Sequence, residues 1–455
     1  MSRLLISAAH KSSGKTTITL GLCAALAERG LAVQPFKKGP DYIDPMWLGK
    51  AAGHPCYNLD FYCMSHAEIL TAVGHRSLTA DVSLIEGNKG LYDGLDLDGS
   101  NSNAALAKLT RTPVVLVLDA RGMTRGIAPL ILGNQAFDPE VRIAGVILNQ
   151  LGGSRHEAKL RAVVEHYTEV PVLGGVHRNR DMEITERHLG LIPSNEEGSA
   201  LTRIRAIRDI VKQQVDLDAL LSVFDATPLV FEPPPAPLPP AGGRVRIAIA
   251  RDAAFGFYYP DDLEALEQAG AELVTINTLE DADLPDVDGL FIGGGFPETH
   301  MEVLQANAPL RHRIRNAIGN GLPAYAECGG LMYLARSLSW SGRRCEMVGV
   351  IPADIVMHER PQGRGYVRLR ETPLLPWPEV NPQVEFAAHE FHYSGIHNIT
   401  GSLNYALEVR RGTGIDGKHD GIVINNLLAS YSHLRDTGQH RWARRFVEFV
   451  KRHGR

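Results

Sequence analysis

Twelve residues in the middle of the chain constrain its fold more than any other stretch: Glu232-Pro233-Pro234-Pro235-Ala236-Pro237-Leu238-Pro239-Pro240-Ala241-Gly242-Gly243. Proline locks φ and removes the backbone donor, so this segment enters neither a helix nor a sheet ladder and reads as an extended linker. At about 3.1 Å per residue it spans roughly 30 Å. Its place between two α/β patterns favours a linker over a proline-rich ligand for another protein. With 455 residues the chain exceeds what one hydrophobic core organises. Two domains are therefore expected, 1–231 and 244–455, joined by 232–243.

The net charge of −5, with both signs interspersed, gives no footing for nucleic acid or an anionic membrane surface. Five cysteines, odd in number and irregularly spaced, suggest neither a disulfide framework nor a zinc site. The apolar run near the N-terminus is too short for a signal peptide, and no stretch approaches a membrane span. A cytoplasmic protein acting on small molecules is expected.

The first half opens on a short apolar strand, Leu4 to Ala8, that runs into Ala9-His10-Lys11-Ser12-Ser13-Gly14-Lys15-Thr16-Thr17 and then a helical pattern to Glu28. Strand, phosphate loop and helix come in the P-loop order, although Ala9 stands where the first glycine of the pattern belongs. The backbone N–H groups from Gly14 to Thr17 are placed to cradle phosphates, Lys15 to reach the β- and γ-phosphates, and Thr16 to ligate Mg²⁺. ATP is the expected ligand. A second strand, Ala32 to Phe36, delivers Asp41 and Asp44 in a Gly/Pro-bounded loop at a strand's carboxyl end, where open α/β sheets place ligand chemistry. Alone, two loop aspartates are more often turn formers than catalysts. A third strand, Val82 to Ile85, ends at Glu86, where a P-loop enzyme holds its magnesium. Further strands run from Val114 to Leu118 and Ile143 to Leu148, and 201–224 reads as helical. Strands alternating with helices imply a parallel sheet covered on both faces.

The second half restarts the pattern at Val245 to Ala250, with a helix from Leu263 to Ala269 and strands at Leu273 to Ile276 and Gly289 to Ile292. Gly293-Gly294-Gly295 at a strand end lets backbone N–H groups approach a ligand closely. Next, Tyr325-Ala326-Glu327-Cys328-Gly329-Gly330-Leu331 places a cysteine between a short buried strand and a helix from Gly329 to Leu334. A turn that sharp needs small neighbours, which Ala326 and Gly330 supply. It aims N–H groups and a helix's positive end at the sulfur, lowering the thiol pKa and offering an oxyanion hole. The bland alternative is a buried structural cysteine. A thiol nucleophile wants an imidazole partner, and His389, His392 and His433 all qualify. The residues alone do not choose among them.

Gly-Lys-Thr-Thr, Gly-Pro-Asp-Tyr-Ile-Asp, Glu-Gly-x-x-Gly-Leu-Tyr-Asp-Gly, Gly-Gly-Gly-Phe-Pro-Glu, Tyr-Ala-Glu-Cys-Gly-Gly-Leu-Met-Tyr-Leu and His-Glu-Phe-His-Tyr-Ser follow one another along this sequence. Together they resemble the cobyrinate a,c-diamide synthase family over essentially the whole chain. The resemblance implies two doubly wound α/β domains with mostly parallel sheets: a P-loop, dethiobiotin-synthetase-like domain, then a class I glutamine amidotransferase domain of flavodoxin-like fold. It implies that Cys328 attacks the side-chain amide of glutamine with His433 as base, and that Gly294, Gly295 and Gly329 line the oxyanion hole. ATP and Mg²⁺ would be held by Gly14, Lys15, Thr16 and Thr17, with Thr16 and Glu86 on the metal. Asp41, Tyr42, Asp44 and Asp93 would handle the carboxylate substrate and its activation. Two acetate groups of a cobyrinate or hydrogenobyrinate macrocycle would be amidated through acyl phosphates. A homodimer is compatible with it.

Several positions depart from the family pattern. Lys11-Ser12-Ser13 occupies the phosphate loop where relatives have Ser-Gly-Ala or similar, which puts the loop's backbone geometry in question. Lys38 replaces a valine and Asn88-Lys89 an apolar pair, so two extra cations stand near the presumed substrate pocket. They keep siroheme or a metal-sirohydrochlorin open as the alternative substrate. Arg435 stands two residues after His433, where relatives have a second histidine and other class I amidotransferases a glutamate. A guanidinium only donates hydrogen bonds and cannot orient the imidazole. A Cys-His dyad, or an orienting group from elsewhere, is expected. A regulatory P-loop ATPase with a decayed amidase half would have lost the cysteine or every candidate base, and neither is lost.

Overall fold

The computed structural model describes residues 2–454 except 183, 185, 188, 189, 197 and 234–242. They form two compact units, one on each side of the proline-rich stretch. Most of the expected linker, 234–242, lies outside the described residues.

The first unit is built on a seven-stranded sheet: β1 (Ser2–Ala8), β2 (Val33–Lys38), β3 (Tyr57–Leu59), β4 (Val82–Glu86), β5 (Val114–Asp119), β6 (Ile143–Leu151) and β7 (Val172–His177), in the order β3-β2-β4-β1-β5-β6-β7. Every pairing is parallel. Strands covered on both faces must be apolar throughout, and Leu4, Leu5, Ile6 and Val114 to Leu118 are fully buried. The chain order reverses beside β1, and there the loops after β1, β2 and β4 meet. The helical stretch expected over 201–224 is two helices, Ala200–Gln214 and Leu217–Ser222, the second started by Asp216, whose carboxylate accepts from the N–H groups of Asp218 and Ala219.

The second unit has a nine-stranded sheet of two characters. Its parallel part comprises β8 (Val245–Ala250), β9 (Ala271–Ile276), β10 (Gly289–Ile292) and β11 (Ala324–Glu327). Beyond it come β12 (Gly363–Glu371), β13 (Glu385–His392), β14 (Asn404–Arg411), β15 (His419–Ile424) and β16 (Leu427–Ser430), giving the order β9-β8-β10-β11-β16-β15-β14-β12-β13. β16 lies parallel to β11, and the pairings outward from β16 are antiparallel. Both units are thus α/β, and the antiparallel extension carries the histidine-rich run 389–392. Among the described residues no helix is long and apolar enough to cross a membrane.

Glu371, at the end of β12, ties that strand to the last helix, Trp442–His453. Its buried carboxylate takes the guanidinium of Arg445 at 2.5 Å, His440 Nε2 at 2.9 Å and the N–H of Asn381 at 2.7 Å. Burial alone would raise its pKa, but these donors hold it down, at about 2 against an ordinary 4.5. A depressed folded-state value means stability that is complete above the ordinary pKa and lost as pH falls through about 2. Glu371→Gln leaves Arg445 buried without its counter-charge and should destabilise this unit by about 3–5 kcal/mol at neutral pH. Urea unfolding of the full chain, followed by tryptophan fluorescence, checks this, and the difference from the parent should shrink towards zero at the acid end.

Candidate active sites

In the first unit the helix Lys15–Glu28 starts directly behind the phosphate loop. Gly14 caps it with φ 85°, and a Cβ there would stand 2.2 Å from Asn149 Nδ2, so the position demands glycine twice over. Ser12 takes the left-handed φ of 63°, reaching without glycine the turn that the departure at 11–13 put in question. Lys15 is buried, and desolvation lowers its pKa although Glu86 pulls the other way. Thr17 and Gly14 face a cavity of about 640 Å³ whose walls include Asn149, Gln150 and Arg203. Asn149 also donates to the carbonyl of Ser13 at 2.9 Å, fixing the loop against the end of β6.

Thr16 Oγ1 lies 2.7 Å from Glu86 Oε1 and 3.2 Å from Asp44 Oδ2. Asp44, expected among the substrate residues, therefore joins Thr16 and Glu86. Asp41 does not share that position. Its carboxylate accepts the N–H groups of Ile43 and Asp44 and starts the helix Ile43–Ala52, with Tyr42 buried at the turn. Asp93 accepts the N–H of Gly90 at 2.8 Å, and its charge reaches Lys15.

Lys37 was given no role by the sequence. Lys37, the penultimate residue of β2, is buried with its Nζ 2.5 Å from Asp44, 3.1 Å from Glu86 and 4.0 Å from Asp41. Burial opposes its charge, but the three carboxylates more than offset that and raise its pKa. Its only signal in the sequence was its place at the carboxyl end of a parallel strand.

Whether these groups suit Mg²⁺ can be judged from the donors. Among the described residues no three His, Cys, Asp or Glu side chains form a ready-made metal cage. Mg²⁺ in nucleotide sites needs none, since one or two carboxylates, water and the phosphates suffice. Thr16, Asp44 and Glu86 are hard oxygen donors within reach of one another, and Glu86 Oε2 is buried with no partner. The set fits.

The two extra cations fare differently. Lys38 is only 5% exposed and donates to Asn88 Oδ1 at 3.1 Å, so two departures from the family pattern satisfy each other. Burial, then the charges of Lys89 and Lys37, lower the Lys38 pKa to about 8. Asn103, fully buried, clamps the 88–90 turn through the carbonyls of Asn88 and Gly90. Lys89 is exposed and adopts φ 40°.

In the second unit Cys328 sits between β11 and the helix Gly329–Leu334 at φ 46° and ψ −99°, a conformation that costs a side-chain-bearing residue about 1–3 kcal/mol. The surroundings over-determine it. The Cys328 N–H donates to Ser430 at 2.7 Å, its carbonyl accepts from Met332 at 3.0 Å, and a Cβ on Gly330 would stand 2.2 Å from the Ile292 carbonyl oxygen. The thiol lies 3.9 Å from the carbonyl oxygen of Phe391.

Of the three candidate bases, His433 is the one hydrogen-bonded to Cys328. Burial works against its charged form, but Cys328 and then Glu327 outweigh burial and lift it from 6.5 to about 10. His389 is joined to His433 by reciprocal backbone hydrogen bonds, and burial drives its ring down to about 3, so it stays neutral. His392 stacks on Tyr431 at 3.8 Å, with Nδ1 2.9 Å from the Ser394 carbonyl oxygen. The glycines close the site. A Cβ on Gly294 would stand 2.6 Å from His433 Cε1, and one on Gly329 would stand 2.9 Å from the Gly295 nitrogen. Gly329 is the first residue of its helix, so its N–H has no intrahelical acceptor. Arg435 turns away from His433, pairing with Asp261 at 2.5 Å and lying 4.1 Å over the ring of Tyr259.

Comparison with known proteins gives these two sites their class. Residues 5–192 match the model of the CobQ/CobB/MinD/ParA nucleotide binding domain, and 246–438 that of the CobB/CobQ-like glutamine amidotransferase domain. The chain is therefore an ATP-using ligase with glutamine as its nitrogen donor. Cobyrinate a,c-diamide synthase of Magnetococcus marinus is 47% identical over 99% of this chain and 98% of its own length. Those of Methanosarcina acetivorans (42%, covering 98% and 95%) and Listeria monocytogenes serotype 4b (40%, covering 95% and 96%) align almost as fully. The chain belongs to the cobyrinate a,c-diamide synthase family.

Proposed function

We propose that the enzyme converts the a and c acetate side chains of cobyrinate, or of hydrogenobyrinate, to carboxamides, using one ATP and one glutamine for each. The observation that carries this reading is full-length similarity, across both units, to relatives named for that reaction.

The chemistry divides because a carboxylate is a poor electrophile and ammonia is mostly protonated at neutral pH. In the amidotransferase unit, the Cys328 thiolate attacks the side-chain amide carbon of glutamine, and the oxyanion formed faces the backbone of Gly294, Gly295 and Gly329. His433 passes its proton to the departing ammonia, and water then hydrolyses the γ-glutamyl thioester to glutamate and free thiol. In the P-loop unit, an acetate oxygen of the macrocycle attacks the γ-phosphorus of ATP, the bond to the β-phosphate oxygen breaks, and ADP leaves. Ammonia adds to the acyl phosphate carbon and expels phosphate. Lys15 and the backbone from Gly14 to Thr17 hold the phosphates, while Asp41, Tyr42 and Asp93 handle the carboxylate substrate and its activation. Mg²⁺, held by Thr16, Asp44 and Glu86, would neutralise the charge gathering on the transferred phosphoryl group. Lys37 offsets part of the negative charge of that carboxylate pair.

Mass spectrometry of products from cobyrinate, sirohydrochlorin and siroheme, offered in parallel with ATP and glutamine, tests the substrate. Each conversion of OH to NH₂ lowers the mass by about one unit, so cobyrinate should show two successive decrements. Amidation of siroheme or sirohydrochlorin in its place would overturn the choice of macrocycle.

A further inference from the structure

A buried carboxylate lies against the imidazole of the candidate glutaminase site. Glu327 immediately precedes the nucleophile and is 3% exposed. Alternation along β11 puts Tyr325 and Glu327 on one face of the strand. The Glu327 carboxylate accepts three hydrogen bonds: from the Tyr325 hydroxyl at 2.5 Å, from the N–H of Leu434 at 2.9 Å, and from His433 Nδ1 at 3.3 Å. Tyr325 is itself locked, stacked on Phe291 at 5.1 Å and met edge-on by Trp377 at 5.1 Å. The carboxylate is thus rigid before any substrate arrives, and it grips both the imidazole and the backbone one residue further along.

We propose that Glu327 is the positioning residue for His433, completing a Cys328-His433-Glu327 triad in which the acid neighbours the nucleophile in sequence. The inference rests on the glutaminase reading of Cys328. A carboxylate on Nδ1 fixes the tautomer, leaves the other ring nitrogen for the thiol, and stabilises the imidazolium that forms when the thiol gives up its proton. At 3.3 Å the contact is long for a charge-assisted bond. Two further titratable groups near the imidazole are Cys328 and His389, whose ring centroid is 6.1 Å away and whose neutral ring supplies no counter-charge. Arg435, at the position other class I amidotransferases give to the acid, is instead drawn to Asp261 and Tyr259.

The test is Glu327→Gln in the full-length enzyme, an isosteric change that removes the charge. Glutamine-supported kcat should fall by about 10²–10⁴-fold with KM for glutamine nearly unchanged, read against ammonia-supported turnover of the same preparation. The alkaline limb of the glutaminase pH profile should move to lower pH by about a unit or more, because the imidazolium loses its counter-ion. A role confined to holding the fold would move neither the limb nor kcat alone. Glu327→Asp withdraws the carboxylate by one methylene, serves if the glutamine variant does not fold, and should show the same kcat-selective loss in smaller measure. Unchanged kcat and pH profile in these variants, with Cys328→Ala inactive on glutamine, would overturn the triad alone. Full glutamine-dependent turnover by Cys328→Ala would overturn the glutaminase reading beneath it.

Discussion

Cys328→Ala should abolish glutamine-dependent product formation, by about 10⁴-fold or more, while amidation supported by added ammonia continues. The magnitude follows from what the sulfur does: without it there is no thioester, and neither His433 nor the glycine backbone can cleave an amide at a useful rate. The selectivity follows from the chain's division into two compact units, each with its own core. Structural collapse is not the expected cause of the loss, because alanine keeps the Cβ that already tolerates φ 46° and the backbone bonds to Ser430 and Met332 remain. Glutamine hydrolysis and ammonia-supported amidation, measured on one preparation, check both halves of the statement. Full turnover with glutamine would remove the nucleophile assignment.

Lys15→Ala should remove product with either nitrogen source, by about 10³-fold or more, since the lost cation stabilises charge that develops only in phosphoryl transfer. Its ammonium is buried behind the loop, where Glu86, Asp44 and Asp93 act on it, so no surface lysine can substitute. Glutamine hydrolysis at Cys328 is the contrasting readout, because it uses none of these groups. Isothermal titration with ATP and ammonia-supported turnover decide the matter. Unchanged affinity and rate would eliminate the P-loop assignment despite Gly14, Lys15 and Thr16.

Much of the fold was legible because parallel strands covered on both faces must be continuously apolar, and β1, β4, β5 and β6 announce themselves as such runs. The antiparallel half of the second sheet was not. Strands such as Gly363–Glu371 and Asn404–Arg411 mix charged and apolar residues, since one face is partly wet, and they pair with segments distant in the chain. Their periodicity is visible only once the partner is known. The sites divide in the same way. Gly14, Lys15, Thr16 and Cys328 lie in local turns whose geometry short-range sequence dictates. Lys37 and Asn103 act through contacts made across 7 and 49 positions in one case and across 13, 15 and 96 in the other.

Sequence by itself determined the two α/β units, the phosphate loop, the strained cysteine turn and the family, since each is written in contiguous residues. Only the tertiary structure decided that Asp44 stands with Thr16 and Glu86, and that Lys38 turns to Asn88. It also placed Glu327, beside Cys328 in the chain, against an imidazole 106 residues further on. Hydrogen bonds of about 3 Å depend on how strands and loops distant in sequence are brought together, and no local propensity encodes that distance.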